Sequence, residues 1–228
     1  MAGGGGRGSD GDMVLGETGM ITVAQIVKIM VCPEQRAIVW QQYLSDAMAR
    51  FEINTPLRVA AFLAQVGHES GRLVYVREMW MPEKCPWQEG YEGRADLGNT
   101  EKGDGFLFRG RGLIQITGRK NYQLCSHALG NQFVARPDLL EQRKYAALSA
   151  AWFWKFGAGL NLSKRALVAL AKHGMGHGCN LNDLADLGDF ETITLCINGR
   201  LNGYEDRLII FERAKLALAE DKNIAVSP

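Results

Sequence analysis

Two carboxylates, Glu69 and Glu78, stand nine residues apart in the segment GHESGRLVYVRE, residues 67–78. Hydrolysis of an acetal requires such a pair, one group protonating the leaving oxygen while the other works from the opposite face. About thirty residues further on, GRGLIQITGRKNY at 110–122 supplies Gly, Arg, Gln and Thr in a polar cluster suited to gripping a sugar. The combination predicts an enzyme that cuts a polysaccharide.

Glu69 ends an apolar helical run, where partial burial disfavours the charged form and suits a proton donor working near neutral pH. A helix-end carboxylate paired to Arg72 or Arg77 is the plainer alternative. Glu78 lies beyond a turn expected at Ser70-Gly71 and so projects from a different wall. In an inverting glycosidase the two groups stand roughly 6.5–9.5 Å apart, which leaves space for the water that the second one activates. A salt bridge with Arg77 or Arg94 is the alternative for Glu78, and Glu83, Glu89 and Glu92 compete for the base role. His68 is expected to orient Glu69 or close the site, with a satisfied core histidine as the other reading. Trp80, Trp87, Tyr91 and Tyr122 offer apolar faces for pyranose rings, whereas Trp152 and Trp154, inside AAWFWKFG, read as core.

The elements that must position these groups are helical. Val23, Ile26, Val27 and Met30 form one apolar stripe, and Ile38, Tyr43, Leu44, Ala47 and Phe51 form another. Thr55-Pro56 combines a capping hydroxyl with proline at the first helical position, so a helix is predicted from Leu57 to Glu69, with Gln65 and Glu69 on one face. Residues 79–121 carry Pro82, Pro86, many glycines and scattered aromatics, and predict loops, turns and at most a small β-hairpin, the wall of a cleft. Helical patterning resumes at 139–156, 163–172, 181–186, 190–197 and 204–220.

The chain has 228 residues, 46% of them apolar, enough to bury a core in a single domain over 20–228. Residues 1–19 hold eight glycines and read as a flexible leader; Met13 or Met20 is the natural start if that leader is an expression scar. With 26 basic against 25 acidic side chains, no global field steers the protein to nucleic acid or an anionic membrane. Five scattered cysteines without a CxxC pair read as reduced structural thiols. No signal peptide or membrane span is legible, so the chain is expected to be made in the cytoplasm and to need help to leave.

AFLAQVGHES, GRGLIQITGRKNY and the late ITLCINGRLNGYEDR together resemble glycoside hydrolase family 19, the family of chitinases and phage endolysins, over most of residues 57–213. The YEGR and DLGN segments, 91–94 and 96–99, resemble the short endolysins of phages and prophages that attack peptidoglycan, whereas plant chitinases carry longer insertions. The resemblance implies a mainly α, lysozyme-like domain of two helical lobes around a central cleft with a loop-rich wall. It implies hydrolysis of β-1,4 bonds between N-acetylated amino sugars with inversion, through Glu69 as general acid and Glu78 as general base. Thr117 would hold the attacking water, Gln115 and Asn121 would bond the sugar's N-acetyl and hydroxyl groups, Asn198 would bind substrate and Arg207 would support the carboxylates. After Asn198-Gly199 the family usually has glycine where this chain has Arg200, which narrows the cleft or contacts an anionic wall peptide. The implied protein is a monomer that needs no metal or organic cofactor and reaches the wall through a holin-like membrane pore. An endochitinase acting on chitin oligomers is the nearest alternative, and a non-catalytic wall-binding module a further one.

Other signals are weaker. His173 and His177 at i and i+4, with Cys179 nearby, invite a zinc amidase reading, but two intervening glycines undermine the helix such ligands need. Arg109-Gly-Arg-Gly112 lacks the repetition of a nucleic-acid segment, and there is no GxxxxGK phosphate loop.

Overall fold

The computed structural model describes residues 20–158 and 162–220; the leader expected at 1–19 lies outside them. Thr22 opens the first helix, α1 (Val23–Met30), with a reciprocal capping box to Gln25. After α2 (Glu34–Arg50), Thr55 accepts the Arg58 N–H at 3.3 Å and Pro56 takes the first position of α3 (Pro56–Glu69), as the sequence predicts. There follow α4 (Asp104–Leu107), α5 (Arg119–Leu129) and α6 (Arg143–Trp152), which runs on as a π-helical turn at Phe153–Gly157. The chain closes with α7 (Lys164–Ala171), α8 (Leu181–Asp186), α9 (Phe190–Asn198) and α10 (Tyr204–Glu220).

Helix α3 is the spine. Its residues from Val59 to Gly67 are all buried, the pattern of a helix apolar on every side. Helix α10 lies along it, with α1 and α9 against α10, while α2 packs on α6 and α7 on α9. Phe62 of α3 meets Trp154 edge to face at 5.6 Å; the Trp154 indole donates to Asn182 Oδ1 at 2.8 Å, and Asn182 Nδ2 donates to Phe51 O at 3.1 Å. One aromatic thus ties α2, α3, α6 and α8 together, with its polar edge satisfied inside the core.

Two helical boundaries differ from expectation. Helix α5 occupies ground expected to be loop up to residue 121 and unpatterned beyond it. Gly118, at φ +91°, stands where a capping side chain would have marked the start, although Tyr122, Cys125 and Leu129 do fall on one buried face. The segment expected to be helical from 139 begins instead as a 3-10 turn at Pro137–Glu141, and extended Gln142 intervenes before α6.

Between Glu69 and α5 the backbone is irregular but closely tied. Gly71, Arg72 and Leu73 are all left-handed, at φ +57°, +61° and +65°. For the two non-glycines that conformation costs roughly 1–2 kcal/mol each. It is held by Ser70 Oγ, which donates to Val66 O at 2.6 Å and accepts from Leu73 N at 2.9 Å, and by the Trp40 indole, which donates to Leu73 O at 3.1 Å. The reversal brings 76–78 against 110–116: Glu78 N donates to Gly110 O and Gly112 N to Val76 O, both at 2.9 Å. Arg111 and Ile116 exchange backbone bonds at 3.1 and 2.8 Å, an isolated bridge that closes a tight loop. Among the described residues no strand forms, within the bound of at most a small hairpin.

Candidate active site

Glu69, the last residue of α3, meets a guanidinium rather than an apolar pocket. Arg207 of α10 is fully buried and donates through Nη2 to Glu69 Oε1. Its Nη1 donates to Gln65 Oε1 at 2.5 Å and its Nε to Asn202 O at 3.3 Å. Gln65 in turn donates to Thr194 Oγ1 at 2.8 Å, and Thr194 donates to Phe190 O at 3.0 Å. Helices α3, α9 and α10 therefore share one buried polar chain ending on Glu69. Each link satisfies a group whose burial would otherwise be costly. Glu69 Oε2 accepts no bond among the described residues, and the side chain stays 21% exposed. Arg72 and Arg77, the sequence's plainer partners for Glu69, are engaged elsewhere, on Asp206 and Glu141.

His68 turns away from Glu69, and the expectation that it orients that carboxylate does not hold. Its Nδ1 lies 2.7 Å from Asp206 Oδ2, and the Arg72 guanidinium grips both Asp206 oxygens at 2.6 and 3.1 Å. The Arg72 bond first, and the His68 bond after it, pull the Asp206 carboxyl down to about 2. Gly203, at φ +67°, lies flat on the imidazole; a Cβ there would come within 2.2 Å of the ring.

Glu78 sits in the irregular wall and pairs with neither Arg77 nor Arg94, which bind Glu141 and Asp96. Gln88 Nε2 donates to its Oε1 at 2.9 Å and the Gly110 N–H to its Oε2 at 3.2 Å. Beside them, burial first, and the Glu78 charge next, push the Tyr91 phenol above its ordinary range. Gln88 is buried and holds the loop as well, donating to Met79 O at 2.8 Å and accepting from Met81 N at 2.7 Å. Of the competing carboxylates, Glu92 is spent on the Gly103 and Gly105 amides, at 2.5 and 2.8 Å, while Glu83 and Glu89 are exposed.

Gln115, Thr117 and Asn121 come together on the rim of a cavity of about 200 Å³, which α9 closes through Cys196 and Ile197. Thr117 Oγ1 donates to Gln115 O at 2.9 Å, and Asn121 Nδ2 donates to Thr117 O at 2.7 Å. Gln115 is a non-glycine at φ +59°, and its Oε1 lies 2.6 Å from where a Gly110 Cβ would be, so a side chain at 110 would displace the Gln115 amide. The cavity thus joins the wall that carries Glu78 to α9, whose Thr194 anchors the Glu69 network. Asn198 ends α9, exposed.

Tyr122 is a correction. It is fully buried, donating to Arg109 O at 2.7 Å and accepting from Arg111 Nη1 at 2.9 Å, so no sugar can stack on it. Burial pushes the phenol up to about 12. Its work is to brace that tight loop on α5, with Arg111 also bonded to Glu141 at 2.8 Å. Trp80 is half-buried, edge-on to Phe106 at 5.5 Å and tilted against Tyr91 at 6.2 Å, while Trp87 is 64% exposed. His173, half of the zinc pattern, bonds Asp189 at 2.7 Å in a non-helical turn. Sequence reasoning missed Gln88 and Asp206. Gln88 lies in a segment without periodicity, and Asp206 shows only as one acid beside Arg207.

A family model described as chitinase class I, of glycoside hydrolase family 19, matches residues 47–207. A family 19 domain-containing protein of Haemophilus influenzae is 28% identical over 181 residues, 68% of this chain and 77% of that protein. The endochitinase CHI of Arabidopsis thaliana is 32% identical over 116 residues, 48% of this chain but only 41% of the plant protein. In fold, the chain is similar to chitinase C from Streptomyces griseus, with a TM-score of 0.61 at 21% identity, covering 90% of this chain and 78% of that one. A bacterial family 19 chitinase gives 0.61 at 22% identity, covering 86% and 94%.

Proposed function

The chain belongs to glycoside hydrolase family 19, the chitinase class I family, and from that premise we propose that it hydrolyses β-1,4 bonds between N-acetylated amino sugars in peptidoglycan, with inversion, as an endolysin. Glu69 protonates the leaving oxygen through its unbonded Oε2 while Arg207 fixes the other oxygen. Glu78 activates a water on the opposite face. Each of its oxygens accepts one side-chain or backbone donor and keeps a lone pair for that water. Thr117 helps to hold the water, Gln115, Asn121 and Asn198 bond the sugars, and Trp80 lends an apolar face at the Glu78 wall.

The observation that carries the glycosidase reading is the ion pair of Glu69 with a fully buried Arg207, itself locked by Gln65. A buried guanidinium is costly unless its partner is retained. For the polymer, the reading rests on the YEGR and DLGN segments at 91–94 and 96–99, which resemble short endolysins; the bacterial relative and the plant endochitinases fit chitin equally well. Action at the wall follows from that reading, with release through a holin-like pore; lysis on cytoplasmic expression alone would count against the pore. Endochitinase activity is the second reading, favoured by the plant relatives at 32–33% identity.

Digestion of purified peptidoglycan by the wild type and by Glu69→Gln, with fragments analysed by mass spectrometry, tests the proposal. New reducing ends from the wild type only are expected. Cleavage of chitin oligomers without release from peptidoglycan would establish the endochitinase instead, and free amino groups would point to an amidase.

A further inference from the structure

Behind the α9 terminus that carries Asn198, the surface changes character. Two adjoining cavities of about 420 Å³ each lie between α7 and the segment joining α9 to α10, and they share Lys164 and Arg165. Lys172 completes the basic edge along α7, and Arg200 faces it from the loop. These four cations are exposed and make no ion pair among the described residues; Glu191 is the one acidic side chain lining the groove. The floor is apolar, from Val168 (67% exposed), Ala169, Leu195 and Leu201.

We infer that this groove binds the acidic peptide substituents of the glycan while the sugar backbone lies in the cleft. The inference rests on the peptidoglycan reading above and names the part of that substrate which chitin lacks. Position supports it: Ile197 lines the cavity rimmed by Gln115, Thr117 and Asn121, and Gly199 and Arg200 line the groove, so a strand held by those three residues and passing Asn198 delivers its substituents to the basic side. Charge complementarity selects the occupant. Carboxylates of a short peptide match four uncommitted cations, and its small apolar side chains match the floor. A neutral chitin strand would use neither.

The test compares three substrates: peptidoglycan with its peptides, the same glycan stripped of peptide by an amidase, and neutral chitin oligomers. For Lys164→Glu/Arg165→Glu, kcat/KM on peptide-bearing peptidoglycan should fall about tenfold, the scale of two reversed exposed charges, with the other two substrates unchanged. For the wild type, raising salt towards 1 M, where the screening length shrinks to about 3 Å, should raise KM on the peptide-bearing form alone. This second measurement needs no variant to fold. Equal loss on all three substrates, no loss on any, or a loss that persists on stripped walls still carrying a phosphate polymer would each overturn the assignment. If the wild type cuts only chitin oligomers, the peptidoglycan reading fails and the groove proposal with it. If it cuts both glycan forms with equal efficiency and equal salt response, the groove proposal alone fails.

Discussion

Replacing Arg207 by Met separates the structural share of the Glu69 cradle from its chemical share. The side chain is fully buried and serves three acceptors: Gln65 Oε1 at 2.5 Å, Asn202 O at 3.3 Å and Glu69 Oε1. Methionine fills much of the volume but leaves the Gln65 oxygen and the Glu69 charge without a donor. Removing one partner of a buried ion pair costs about 3–5 kcal/mol. Because Glu69 keeps 21% exposure, water recovers part of that loss, and about 3 kcal/mol is expected. For a domain of this size that lowers Tm by about 6–12 °C, and the misplaced acid should cost about 100-fold in kcat. Glu69→Gln gives the contrast. Its amide oxygen still accepts from Arg207, but the fully buried guanidinium loses its counter-charge, so a loss of about 1–3 kcal/mol is expected, while loss of the proton donor should lower kcat by about 100- to 10,000-fold. Thermal unfolding by circular dichroism and a reducing-end assay read both variants. If Arg207→Met melts within about 2 °C of the wild type, or Glu69→Gln keeps more than about a tenth of the wild-type kcat, the cradle argument is wrong.

Three further outcomes follow from the geometry. Glu78→Gln should abolish turnover while leaving Tm near that of the wild type, whereas Gln88→Ala, which strips three hydrogen bonds from the buried loop anchor, should lower kcat about tenfold and also lower Tm; a Gln88→Ala enzyme of full activity would mean that Glu78 needs no anchor. Asp206, depressed from 3.8 to about 2, contributes stability that is present above about pH 4 and lost as pH falls through about 2. Asp206→Asn should therefore flatten the acid limb of the unfolding curve between those values, and an unchanged limb would place the acid sensitivity in other carboxylates. Gly203→Ala forces φ +67° on an alanine and drives its Cβ against His68; a loss of more than about 1–2 kcal/mol is expected from chemical denaturation, since backbone strain alone accounts for that much.

Much of the helical framework was legible because its signals are local. Thr55 and Pro56 announced α3, and the apolar spacing along 190–197 and 204–220 announced α9 and α10. Helix α5 escaped because Gly118 provides no side-chain cap, leaving only Tyr122, Cys125 and Leu129 to mark it. Those three residues carried a usable signal, but the glycines and aromatics just before them drew the loop assignment too far. Tyr122 suffered from the same error: read as part of a loop, it looked available to a sugar, while as the buried face of a helix it had to find partners inside.

At the site, what distinguishes the legible from the illegible is the sequence distance of the partner. Glu69 and Glu78 stood out because both lie in one short polar stretch at the end of an apolar helix. Their environments did not. Glu69 faces Arg207 across 138 positions, and Glu78 faces Gly110 across 32. The resemblance to family 19 supplied Arg207; residue spacing alone could not have. His68 shows the cost of reasoning only from neighbours. Adjacent to Glu69 in sequence, it was expected to serve that carboxylate, yet successive positions on a helix point about 100° apart, and the imidazole finds Asp206 instead. Asp206 and Arg207 are themselves adjacent on α10 and diverge in the same way, one to His68 and the other to Glu69. Two neighbouring residues on α3 are therefore met by two neighbouring residues on α10, in one hydrogen bond and one ion pair, and only the helix-on-helix packing decides that Glu69 is left with an unbonded oxygen.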